Sequence, residues 1–285
     1  MALPKILAMV MIVSSMLAAG VQVDRQQLID TLRNYSLLGR ALLVNFVLIP
    51  LVAVLLVRGF HVRPDVSIGI LLMSMAPGVP FLVNAAARKQ GGSLSFAIEI
   101  AFLFSALSVV TIPITADLVF PPDTLAQIPV QKFLTTLVIF QLVPLLAGAL
   151  IAPRLNAAQV ERTTRVLHLI FLAFALVLVV VIFPKLVASI GAVYGSGHLL
   201  IIAGIGVFSA GSGWLLGGPN RAYRRTLSVA SILRNVGLCA LISTDAFEGT
   251  LVLPAVIAYF LVTFLLSLPL RIYFQRTKDA AAAAA

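Results

Sequence analysis

The chain has 285 residues, of which 61% are hydrophobic and only 11% are charged. This composition lies far outside the range of soluble globular proteins and predicts an all-α integral membrane protein with little room for a soluble catalytic domain. The formal net charge of +10 does not indicate nucleic-acid binding, because such binding needs a soluble basic face that this composition excludes.

Apolar runs bounded by charged residues, Gly and Pro predict about nine transmembrane helices. In chain order they cover residues 4–22, 38–57, 66–88, 93–119, 132–152, 164–190, 198–217, 224–246 and 250–274. We expect one transmembrane domain over residues 1–279, followed by a poly-Ala tail at 280–285. The spans contain neither a nucleophile paired with a base nor a set of metal-ligand residues, so we expect neither an enzyme nor a confident metal site.

The distribution of basic residues predicts the orientation of these spans. Of the 20 Lys and Arg residues, 14 fall on the side that is reached after spans 1, 3, 5, 7 and 9, five fall on the opposite side, and Arg234 lies inside span 8. Because loops rich in Lys and Arg stay in the cytoplasm, the N-terminus is expected outside and the C-terminus inside. We expect the protein in a bacterial inner membrane, and the sequence does not indicate its oligomeric state.

Two spans contain interruptions that an ordinary membrane helix lacks. Residues 75–84 (MAPGVPFLVN) include Pro77 and Gly78, and residues 228–237 (SVASILRNVG) include Arg234 and Asn235. Unpaired backbone groups survive at membrane depth only where they line a cavity enclosed by protein. The pattern therefore predicts two broken helices that cross near the middle of the membrane, with Asn84 close to Asn235.

The broken spans occupy matching positions in the two halves of the chain. If span 5 is set aside, spans 1–4 and 6–9 form two groups that cross the membrane in opposite directions, and the third member of each group is the broken one. This order is typical of the inverted repeats of secondary transporters. The alternative is that Pro77, Gly78 and Pro80 merely kink a packed helix.

Three local motifs resemble the bile acid/sodium symporter family across nearly the whole chain. The first is residues 76–78 followed by Asn84 and Gly91, the second is residues 225–228 running into residues 234–238, and the third is Asn45 with Pro50. The resemblance implies a panel domain made of spans 4–22, 132–152 and 164–190. It also implies a core domain made of residues 38–119 and 198–274.

The chain departs from the family pattern at positions that bind sodium in sodium-coupled members. The family's glutamate in the second crossing helix corresponds to Ala230, the glutamine before Asn235 corresponds to Arg234, and the serine before Asn84 corresponds to Val83. These differences argue against an intact copy of the two sodium sites. Asn45, Asn84 and Asn235 remain as neutral oxygen donors, so Asn45 and Asn84 are candidates for a weak sodium site.

Two charged residues are placed deep in the predicted spans. Arg234 and Glu99 lie about 12–14 Å from the cytoplasmic boundary, at a helical rise of 1.5 Å per residue. An isolated charge at this depth costs at least about 2.5–3.5 kcal/mol, so a partner or a water-filled cavity is expected. The two residues form a structural ion pair, or Arg234 binds an anionic substrate or Glu99 takes up a proton. The ion pair and the functional roles are compatible if the substrate competes with Glu99 for Arg234.

Together these features predict a secondary active transporter that moves a small organic anion by alternating access. The candidate substrate or ion-binding residues are Asn45, Pro77, Gly78, Asn84, Glu99, Arg234 and Asn235. No cofactor is expected, and the coupling ion is either Na⁺ or H⁺. Two alternatives remain open, namely a membrane receptor or scaffold that keeps the fold without transport, and an ordinary sodium-coupled symporter.

Overall fold

A computed structural model describes residues 3–78, 80–120, 130–188 and 197–283. The described residues form twelve helices and no β-strand. Three elements are α1 (Leu3–Val21), α2 (Arg25–Arg33) and α3 (Tyr35–Gly59). The next three are α4 (Pro64–Met75), α5 (Pro80–Gln90) and α6 (Leu94–Val119). Then follow α7 (Val130–Leu137, Val138–Leu142 and Val143–Ile151), α8 (Ala157–Ala188) and α9 (His198–Leu216). The last three are α10 (Arg221–Ile232), α11 (Val236–Ala246) and α12 (Val252–Ala283).

Seven of these helices, α1, α3, α6, α7, α8, α9 and α12, are long and apolar enough to cross a membrane. The other predicted spans are the two broken pairs, α4 with α5 and α10 with α11. The all-α membrane fold is therefore confirmed, and the elements follow the predicted order. The exact number of crossings stays a prediction. The end of predicted span 164–190 and residues 284–285 of the poly-Ala tail lie outside the described residues.

Helices α3 and α7 each contain a π-helical turn, which covers Leu43–Leu48 in α3 and Val138–Leu142 in α7. Each turn precedes a proline, Pro50 or Pro144, at the start of the following α-helical segment. Proline has no N–H to donate and its ring clashes with the carbonyl four residues earlier, so the local hydrogen-bond register shifts. In α3 this turn contains Asn45, which is fully buried.

Helix α1 packs mainly against α7 and α8, whereas α9 packs against α10 and α12. Large apolar side chains such as Leu176 and Leu200 are exposed, as expected where helices face lipid. The grouping of α1, α7 and α8 agrees with the composition of the expected panel domain. The division of residues 1–279 into a panel and a core stays a prediction.

The sequence analysis missed the short helix α2. Asp24 is its N-cap, and the Asp24 side chain accepts a hydrogen bond from the backbone N–H of Gln27 at 2.9 Å. This helix buries none of its residues, so no hydrophobic run marks it in the sequence. The signal that could have found it is the aspartate placed directly before a stretch of good helix formers.

Candidate functional site

The first break lies between α4, which ends at Met75, and α5, which begins at Pro80. Pro77 cannot donate a hydrogen bond, and Gly78 has a φ of +39°, a left-handed conformation that favours glycine. The two residues therefore end the helix for different reasons. This result confirms the predicted interruption and rules out the alternative of a kink within a continuous helix.

The second break lies between α10, which ends at Ile232, and α11, which begins at Val236. Asn235 is the N-cap of α11, and its Oδ1 accepts a hydrogen bond from the backbone N–H of Leu238 at 3.2 Å. The backbone N–H of Asn235 in turn donates to the carbonyl of Ala76 at 3.0 Å. The second break thus provides a donor for a carbonyl of the first.

The two breaks cross each other directly. Pro77 and Arg234 form an isolated antiparallel β-bridge, which brings the two extended segments side by side. The predicted crossing of the two broken helices is therefore present. Four predicted site residues meet here, namely Pro77, Gly78, Arg234 and Asn235. Asn84 is directed elsewhere and hydrogen-bonds to Gln22, so its predicted proximity to Asn235 stays a prediction.

The Arg234 side chain is fully buried beside this crossing, where it donates to oxygen atoms of α3 and α4. Its Nε donates to the carbonyl of Met73 at 3.0 Å, and its Nη1 donates to Asn45 Oδ1 at 2.9 Å. Its Nη2 donates to the carbonyl of Ser74 and to that of Asn45, the latter at 3.4 Å. All three guanidinium nitrogens are therefore engaged by the protein.

The acceptors on α4 are available because the helix ends there. In a continuous helix the carbonyl of Met73 would accept from residue 77, but Pro77 has no N–H. The carbonyl of Ser74 lies in the same last turn, where helix carbonyls have no intrahelical partner. Arg234 therefore satisfies backbone groups that the break leaves open, and its positive charge faces the negative end of the α4 dipole.

Glu99 lies apart from Arg234. Its side chain is fully buried in α6, and no side chain among the described residues donates a hydrogen bond to its carboxylate. Since the nitrogens of Arg234 bind Asn45, Met73 and Ser74 instead, the hypothesis of a structural ion pair between Glu99 and Arg234 is wrong. The two residues lie at similar predicted depth, but depth along a helix does not fix the lateral position of a side chain.

A cavity of about 670 Å³ lies at the arginine-rich end of the protein, where α1, α7 and α8 face α5. Asn84 is the one predicted site residue that lines it. Apolar side chains form part of its wall, and these include Val21, Leu155, Val160, Leu169 and Leu172. Polar side chains also line it, and these include Gln22, Asp24, Arg88, Glu161, Thr164, Arg165 and His168.

Two polar side chains of the cavity wall each carry a buried oxygen atom that the described residues leave without a hydrogen-bond partner. Asn84 and Thr164 are 3% and 8% exposed, and neither Asn84 Oδ1 nor Thr164 Oγ1 has a hydrogen-bond partner. The Asn84 amide is oriented by Gln22, because its Nδ2 donates to Gln22 Oε1 at 3.2 Å. Arg88 forms no ion pair with an acid in the part of the chain that the structure describes, whereas Arg165 is paired with Glu161 at 2.9 Å.

The sequence analysis did not identify Gln22, Arg88, Thr164 or His168 as candidate residues. They come from the ends of three segments that are far apart in the sequence, and the charged ones were interpreted only as markers of orientation. Thr164 lies in the polar stretch 161–165 (ERTTR), so no local sequence signal distinguishes it.

The sequence model of the Sodium Bile acid symporter family matches residues 9–192, which include the first break and all the residues that line the cavity. Among curated proteins, no match was found. The matched region ends before α10 and α11, which form the second crossing.

Proposed function

The chain belongs to the sodium bile acid symporter family, and from this premise we propose that it is a secondary active transporter that moves a small organic anion by alternating access. The observation that carries the proposal is the cavity between α5 and the group α1, α7 and α8. Its volume of about 670 Å³ is within the range of roughly 300–1,000 Å³ that is typical of small-molecule sites.

The chemistry of the cavity favours an anion with an apolar body. Arg88 supplies a guanidinium that forms no ion pair with an acid among the described residues, and the hydroxyl of Thr164 can donate a further hydrogen bond to a carboxylate. Asn84 Oδ1 can only accept, so it fits a hydroxyl or N–H group on the same substrate. The leucine and valine side chains of the wall would contact the remaining apolar part.

The Arg88 side chain gives the direct test of this proposal. We expect Arg88→Gln to lower the initial rate of anion uptake into proteoliposomes at least about tenfold, because it removes a charge-assisted hydrogen bond of roughly 1.5–3 kcal/mol. Cholate and smaller carboxylates such as benzoate are suitable probes. Arg33→Gln removes an exposed charge from α2, outside the cavity, and should leave uptake unchanged.

Unchanged uptake in Arg88→Gln would contradict the assignment of this cavity. If these anions bind to the wild-type protein but do not enter the proteoliposomes, the result would favour the alternative of a receptor that keeps the fold.

Contacts at the opposite end of the protein support alternating access. Lys5 of α1 forms an ion pair with Asp245 of α11, and Thr136 Oγ1 of α7 donates to Asp245 Oδ2 at 3.4 Å. These contacts join α1 and α7 to α11 at the end away from the cavity. We propose that they close the outer side while the cavity is open towards the cytoplasm, and that they break when the two groups of helices move.

We expect Asp245→Asn to shift the population towards the state that opens outwards, because it removes the charge that pairs with Lys5. Ala85 lines the cavity, so the maleimide reaction rate of an Ala85→Cys variant should fall when Asp245→Asn is added. The native Cys239 is fully buried and should not contribute to the labelling. Asp65→Asn, which removes a local pair with Arg63, serves as the control. An unchanged labelling rate would argue against this gate.

The coupling ion is the second part of the proposal. Val83 and Ala230, which replace sodium ligands of the family pattern, are both buried in one apolar cluster together with Phe96 and Phe104. The side chains at these two positions offer no oxygen ligand to a sodium ion. We therefore propose that the two family sodium sites are degenerate, and that Glu99, a buried carboxyl group to which no side chain among the described residues donates a hydrogen bond, is the candidate group for proton uptake.

A further inference from the structure

The charge of Arg234 is surrounded by neutral oxygen atoms. In the described part of the chain its hydrogen-bond acceptors are three backbone carbonyls and the amide oxygen of Asn45, and none is a carboxylate. The side chain is nevertheless fully buried. An arginine that served only to hold two helices together would usually be neutralised by an acid at this depth.

The four oxygen atoms have the character of a cation site. Two of them belong to Met73 and Ser74 at the C-terminal end of a half-helix, and the other two belong to Asn45 in the π-helical turn of α3. Unwound carbonyls and half-helix C-termini are the groups that coordinate monovalent cations in broken membrane helices. The oxygen atoms therefore form a site for such an ion, and the guanidinium occupies it.

The site is held in place independently of Arg234. Asn45 Nδ2 donates to the carbonyl of Ala41 at 3.1 Å and to Ser231 Oγ at 3.2 Å, and these two bonds direct Asn45 Oδ1 towards the guanidinium. The carbonyls of Met73 and Ser74 are fixed by the end of α4. The oxygen atoms should thus keep their positions when the arginine side chain is removed.

We propose that Arg234 is a tethered cation, which permanently occupies a monovalent-cation site built by α3 and α4. A positive charge is then present at the crossing in every conformation, and no ion has to bind or leave at this position. This consequence for transport rests on the proposed function, whereas the occupancy of the site does not. A variant that lacks the guanidinium should accept a free cation from solution in its place.

Chemical rescue of Arg234→Ala tests this proposal without substrate or flux. The Tm of the purified variant is measured in detergent in three separate buffers. The first contains choline chloride, the second contains choline chloride with millimolar methylguanidinium, and the third contains sodium chloride in place of choline chloride. We expect its Tm to lie below that of the wild-type protein and to rise saturably by about 3 °C or more with at least one of the two cations. The wild-type protein and Arg33→Ala should show no such rise.

A second variant, Arg234→Gln, covers the case in which the alanine variant does not fold in choline. It fills part of the volume and leaves the carbonyls of Met73 and Ser74 without the guanidinium. Recovery of folded protein only when sodium or methylguanidinium is present throughout purification would support the proposal. If neither cation stabilises or recovers either variant, the role of Arg234 is only to hold the helices together, and the proposal is overturned. A failure of anion uptake alone would bear only on the proposed function.

Discussion

Arg234→Leu should lower the free energy of unfolding by about 3–5 kcal/mol, because several buried acceptors lose their donor and each unsatisfied group costs about 1–3 kcal/mol. The leucine fills much of the volume but leaves the carbonyls of Met73 and Ser74, together with Asn45, without a donor in a dry environment. The fraction of monodisperse protein that survives heating in detergent measures the effect.

The same stability measurement shows whether Arg234 and Glu99 contribute to stability independently. Because the two side chains do not pair, adding Glu99→Gln to Arg234→Leu should not restore stability, and the two effects should be additive within about 0.5 kcal/mol. An ion pair would give the opposite result, since neutralising the carboxylate would then relieve an unpaired buried charge. Recovery of wild-type stability in the double variant would show that the contacts described for Arg234 are not the ones that matter.

Gly20→Leu should be at least as disruptive, because α1 and α7 approach each other most closely at Gly20 and Gly148. A Cβ atom at Gly20 would lie 2.1 Å from the carbonyl oxygen of Leu145, and one at Gly148 would lie 2.5 Å from that of Leu17. The clashing atoms belong to the backbone, so the helices must separate, at a cost of about 3 kcal/mol or more.

The yield of folded protein after membrane extraction checks this expectation. Gly211→Leu on α9 is the matched control, because a Cβ atom there would meet nothing within 4 Å. Equal yields for Gly20→Leu and Gly211→Leu would contradict the close packing of α1 and α7.

The two helix breaks could be predicted from the sequence because each has a local cause. Pro77 and Gly78 break a helix through their own backbone properties, and Asn235 is a good N-cap residue wherever it occurs. The cavity could not be predicted in this way. Gln22, Arg88 and Thr164 meet only because α1, α5 and α8 converge, and no single stretch of the sequence contains that information.

The position of Glu99 illustrates the same limit. Counting residues from the membrane boundary gives the depth of a side chain, and Glu99 and Arg234 have similar depth. Which neighbour a side chain contacts depends on the packing of whole helices. Here the unpaired carbonyls of α4 provide closer partners for Arg234, so the charge that appeared to need an acid is stabilised by helix-end carbonyls instead.

We propose that this member of the family moves an organic anion without binding sodium at the crossing, because Arg234 supplies the positive charge there. The most direct test is the initial rate of anion uptake into proteoliposomes in sodium buffer and in choline buffer at matched pH. We predict equal rates in the two buffers. A strong, saturable requirement for sodium would contradict the account, because it would mean that Asn84, Asn45 or other oxygen atoms form a sodium site beside a permanent cation.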